Sequence, residues 1–203
     1  MRRHAALVAG AMLTVAVVYA QDYGHFIGDV VAKWSPDGRN MVLTQPFVYV
    51  DPEGVRWEAP LDSVIDGASI PQFAWSIIGG PFEGKYRAAS VIHDVACVNR
   101  SRPWATVHRA FYTAMLASGA ARAQAKVMYA AVYHFGPRWA TLECPGRMAC
   151  AQPTIVFPPP RTLTEDQFPR LAEDIARRER PGGAQTSGLQ PMSLEEIEAF
   201  GIR

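Results

Sequence analysis

Four side chains in this chain have the types and spacing for chemistry. His93 and Asp94 are adjacent inside an otherwise apolar stretch, His108 follows fifteen residues later, and Asp66 opens the string Asp66-Gly67-Ala68-Ser69-Ile70-Pro71. Ionisable groups in such a stretch must reach solvent or find partners, because burying them unpaired is costly. An imidazole beside a carboxylate is the equipment of a water-activating general base. The same four residues, His93, Asp94, His108 and Asp66, are also the ligand types of a zinc site, while the carboxylates suit calcium. The alternative is a structural polar network, in which Asp66 caps backbone N–H groups and His93 makes a buried hydrogen bond to it. His134 reads as a helix C-terminal residue, and Trp75, Trp104 and Trp139 as core or rim anchors. No Cys-x-x-Cys motif is present.

The elements that must position these groups follow from periodicity. Ala88, Ala89, Val91, Ile92, Val95 and Ala96 recur at three- and four-residue spacing, predicting a helix from Tyr86 that fades near Asn99. Ser101 is placed to cap a second helix, with Pro103 in its first turn and Val107, Phe111, Met115 and Leu116 carrying it to Gly119. With the turn centred between Arg100 and Ser101, His93 and His108 lie equally far from it, about 10–12 Å along each helix. In an antiparallel hairpin they then face each other. A third helix is expected over 122–135, stopped by Gly136-Pro137.

Upstream, Met41–Gln45, Phe47–Val50 and Val55–Ala59 are rich in β-formers, with Asp51-Pro-Glu-Gly54 as a turn and Pro46 as a bulge or an edge. The Gly- and Pro-rich run from Asp66 to Gly84 reads as a long structured loop. The expectation is an α+β domain over 25–145, a small antiparallel sheet packed on a three-helix bundle. Beyond Cys150 the composition shifts. Pro158-Pro159-Pro160, one amphipathic helix burying Phe168, Leu171 and Ile175, and a last short helix capped by Ser193 and Glu196 make 151–203 a Pro-rich, partly unfolded appendage.

Composition sets the compartment and excludes whole classes. The chain has 203 residues with 20 Lys+Arg against 19 Asp+Glu, too balanced for a nucleic-acid binder. Arg2, Arg3 and His4 precede an apolar run from Ala5 to Val18, ending in Val18-Tyr19-Ala20. This predicts a signal peptide over 1–20, with an uncleaved N-terminal anchor as the alternative, and an exported protein, periplasmic or secreted, with no membrane span after cleavage. Loss of two Arg and no acid turns a net charge of +1 into −1. In an oxidising compartment Cys144 and Cys150, separated by a loop containing Pro145-Gly146, are expected to pair, leaving Cys97 as a small buried thiol.

The strings DGASIP at 66–71, FAW at 73–75, GGP at 79–81, YRAASVIHD at 86–94 and HRAFYTAM at 108–115 resemble domain-of-unknown-function family 1353, found in phage and bacterial genomes. The resemblance implies a shared fold and no established activity. Members usually carry Thr, an aromatic residue and Asp where Ile65, Val98 and His108 stand here. The HD helix is also similar, more weakly, to the helical hairpin of secreted phospholipase A2, which implies His93 as base, Asp94 as calcium ligand and His108 in the orienting place. A histidine there supplies no negative charge, and that family's calcium-loop cysteines are missing. The functional expectation is a hydrolase-like domain acting on an envelope polymer or lipid. The alternative is a non-catalytic envelope or phage-derived interaction module.

Overall fold

The computed structural model describes residues 21–67, 70–78, 84–143, 153–180 and 190–201. The architecture is α+β, with the strands leading. β1 (His25–Ile27), β4 (Phe47–Val50) and β5 (Arg56–Ala59) form one antiparallel sheet in the order β1-β4-β5. β2 (Ala32–Trp34), β3 (Met41–Leu43) and β6 (Val64–Ile65) form another, in the order β2-β3-β6. Pro46 lies where the chain passes from the second sheet to the first. It has no N–H for a ladder, which suits that position.

The expected hairpin is β4–β5, closed by the acidic turn. Asp51 Oδ1 accepts from the N–H groups of Glu53 and Val55, and Gly54 N–H donates to Asp51 O. The indole N–H of Trp57 donates to Asp51 Oδ2 at 2.9 Å, tying the turn to the opposite strand. Phe47, Tyr49, Trp57 and Ala59 alternate onto one buried face that meets the helices. The strands β1, β2 and β6 are additions to the sequence reading. Each is only two or three residues long, too short to show an alternation.

The helices are α1 (Trp75–Ile78), preceded by a 3-10 turn over Gln72–Ala74, then α2 (Arg87–Asn99), α3 (Trp104–Ala117) and α4 (Arg122–Phe135). Arg100, at φ 51°, closes α2 in the left-handed region and allows the reversal into α3. Ser101 does not cap α3. Pro103 occupies the N-cap position without a side-chain bond, so rigid proline geometry starts the helix instead. Gly136 ends α4 as expected, and a Cβ there would lie 2.4 Å from Val132 O. No helix among the described residues is long and apolar enough to cross a membrane.

The C-terminal segment packs on the body. α5 (Phe168–Arg178) lies against α4, and Phe168, Leu171 and Ile175 are fully buried in the same core as α2–α4. Burying each such side chain contributes about 1.5–3 kcal/mol. α6 (Leu194–Glu198) begins with the expected capping box, in which Ser193 and Glu196 exchange side-chain-to-backbone bonds. Before α5, β7 (Thr141–Glu143) and β8 (Thr154–Val156) form a further antiparallel pair, absent from the sequence reading. Residues 1–20, Ser69, Cys144 and Cys150 lie outside the described residues, and with them the signal peptide and the expected disulfide.

Candidate functional site

α2 is sandwiched between the strands β5 and β6 on one side and α3 on the other. His93 and Asp94 are therefore buried, at 1% and 4% exposure. Consecutive helical residues diverge by about 100°, so the two side chains face different neighbours. His93 points to α3, where Nε2 lies 2.8 Å from Nδ1 of His108. The facing pair expected from the hairpin spacing is present.

The tautomers follow from the acceptors. Pro137 O can only accept, so His108 Nε2, 3.1 Å away, carries a proton and donates to it. His108 Nδ1 then accepts from His93 Nε2–H. Burial, the leading cause, holds His108 down to about 3, with Arg138 and Arg161 adding to the effect, so the ring is neutral. Phe111 packs on His93 with ring centroids 4.6 Å apart, and Trp104 meets His108 edge-on at 5.7 Å.

Asp94 belongs to the other side of α2. Its Oδ2 accepts from the backbone N–H groups of Asp66 at 3.1 Å and Gly67 at 2.8 Å. Gly67 sits at φ 104°, a conformation that favours glycine, and this is how the loop turns an amide toward the helix. The other oxygen, Oδ1, is buried and has no hydrogen-bond partner among the described residues. Burial first, and then the negative charge of Asp66, push the Asp94 carboxyl well above the usual range. Asp66 itself is exposed. The four expected residues thus fall into two groups, an imidazole pair inside the helical hairpin and a carboxyl pair at the β6 loop.

A cleft of about 430 Å³ opens beside the carboxyl pair, lined by Asn40, Val64, Asp66, Asp94, Cys97, Val98, Arg100 and Pro137. Cys97 is the residue the site reading passed over. It is buried and free, with its Sγ 3.6 Å from His93 Nε2. Burial pushes its thiol up to about 12, with Asp94 and Asp66 adding to the shift, so it is no ready nucleophile. His93, Cys97 and His108 present ligand atoms that all lie within 4.8 Å of one another. Asp94 and Asp66 do not join that set. The signal was legible, since Cys97 follows His93 by four residues, which is one helical face.

Residues 41–132 match the family described as "Protein of unknown function (DUF1353)", so over that segment the resemblance drawn from DGASIP and HD is borne out. The chain is 52% identical over 101 residues to "Uncharacterized protein y4jT" of Sinorhizobium fredii, a match covering 50% of this chain and 30% of that protein. It is 38% identical over 156 residues to "Uncharacterized protein y4iH" of the same organism, covering 73% of this chain and 65% of that protein. The chain therefore spans between about a third and two thirds of the length of these relatives. No solved structure matches.

Proposed function

We propose that this chain is an exported hydrolase-like domain, with the Asp66–Asp94 cleft as the place where water is activated against an envelope polymer or lipid. The observation that carries the reading is the asymmetry of the Asp94 carboxyl. One oxygen is fixed by two loop amides, while Oδ1 is buried without a partner among the described residues, on a residue that lines the cleft. A structural carboxylate gains from saturating both oxygens. One left open, in a carboxyl whose orientation is locked, is suited to hold a water or a substrate hydroxyl and to move its proton. Asp66, beside it on the same cleft, offers a second, exposed carboxyl, so two environments divide the acid and base roles. His93 and His108 stand behind this pair as a buried backing.

The test uses the mature chain with two substrates, purified sacculi and phospholipid vesicles, scored for released sugar fragments or fatty acid. Release from one of them, lost in Asp94→Asn with unchanged thermal unfolding, is the expected result. Release that persists in Asp94→Asn, or no release from either substrate, overturns the reading in favour of a non-catalytic module. Export is checked by intact mass of the protein recovered from the envelope fraction. Retention of residues 1–20 overturns cleavage after Ala20, and three alkylatable thiols without reductant overturn the Cys144–Cys150 bridge.

A further inference from the structure

We infer that His93, Cys97 and His108 form a binding site for a thiophilic divalent ion, zinc foremost, at the inner end of the cleft. The donors come from one helical hairpin. α2 supplies His93 and, one turn later, Cys97, and α3 supplies His108. All three are buried, at 1%, 5% and 0% exposure, so the ligands are held by packing rather than by a mobile loop.

The distances suit the ion. Zinc bonds of about 2.0–2.1 Å to nitrogen and 2.3 Å to sulfur give a tetrahedron with edges of about 3.3 Å between nitrogens and 3.6 Å between nitrogen and sulfur. His93 Nε2 and Cys97 Sγ are already 3.6 Å apart, and His93 Nε2 and His108 Nδ1 are 2.8 Å apart. Opening the imidazole pair by about half an ångström admits the ion between them, with the His93 ring proton carried on Nδ1 instead of Nε2 and the Cys97 thiol proton released to solvent. His108 carries the outer support usual for a ligating imidazole, its second nitrogen donating to the Pro137 carbonyl and so leaving Nδ1 as the lone-pair donor. Cys97 and Pro137 both also line the cleft, which provides an access path. Two imidazoles and one thiol select zinc over magnesium or calcium, which take oxygen ligands. This site shares the cleft with the hydrolytic reading but does not rest on it.

The decisive probe is cobalt(II), which replaces zinc and reports its ligands by colour. The full chain, without thiol reductant and with air excluded so that the expected Cys144–Cys150 bridge is kept, is titrated with cobalt(II) and then with zinc. The expected result is one-to-one binding with tetrahedral visible bands and a thiolate-to-cobalt charge-transfer band, both displaced by zinc. Cys97→Ser, a change of one atom, is expected to keep the fold by circular dichroism, lose the charge-transfer band and bind zinc more weakly by more than the roughly 10–100-fold that outer-shell partners command. His108→Gln serves as the second variant. Binding without the charge-transfer band, or equal zinc affinity in Cys97→Ser, overturns the site. Because the readout is spectroscopic, its failure is distinguishable from failure of the hydrolytic reading.

Discussion

Two regions of this molecule bury ionisable groups, and they treat them in opposite ways. Where α5 and α6 dock on α4, the groups are answered. Lys126 pairs with Glu179 and donates to Met192 O, His134 Nε2 donates to Ile197 O at 2.8 Å, and Glu198 takes Tyr129 OH and Arg109. At the α2 hairpin, Asp94 keeps one oxygen unpartnered among the described residues, next to a second carboxyl and a cleft. Arg178 Nε is the exception at the docking face, but its terminal nitrogens reach Asp174 and Glu196. A saturated network serves cohesion. A carboxyl with one oxygen left unpartnered gives up part of that cohesion.

That contrast can be broken most forcefully at Lys126. Lys126→Met strands the buried Glu179 carboxylate, and removal of one partner of a buried ion pair typically costs about 3–5 kcal/mol. Urea denaturation should record that loss, and limited proteolysis should release the C-terminal segment first. The double variant with Glu179→Leu should recover much of it.

His108→Leu is the next largest. It leaves Pro137 O and the His93 ring without their partner, at about 1–3 kcal/mol for such a stranded group. Asp94→Asn should lie at the other extreme, with a melting temperature unchanged or raised, because a neutral amide keeps an acceptor for Asp66 and Gly67 without burying a charge. A large loss in Asp94→Asn would make the two regions alike and remove the contrast.

The smallest effect is a pH slope at the docking face. Burial, the first cause, lowers the pKa of His134 below the ordinary histidine value, so the neutral ring is the form the fold favours. The associated stability is fully present above the unfolded value, near 6.5, and is lost as pH falls below it. Unfolding followed between pH 7 and 5 should show that decline, and His134→Gln should lessen it, leaving the part due to His108, which burial holds neutral over the same range.

The acidic β4–β5 turn, the three central helices with their stop at Gly136, the capping box at Ser193 and the facing of His93 and His108 are all local in origin. Each rests on periodicity, on turn chemistry or on equal spacing from one reversal, and each was legible in the chain. The division of the strands between two sheets was not, because it depends on partners such as Ile65 for Met41, which stand far apart in sequence. Nor was the docking of the C-terminal segment. The apolar face of α5 was readable, but its matching surface on α4 exists only after the bundle forms.

The site divides the same way. Sequence alone determined which ionisable residues had to share the hairpin, since helical rise and the position of the turn fix their distance from it. Only the tertiary structure decided that Asp94 turns from the imidazoles to the loop amides of Asp66 and Gly67. The reason is angular. Neighbouring residues on a buried helix point about 100° apart, so what each one meets is set by the elements packed on either side.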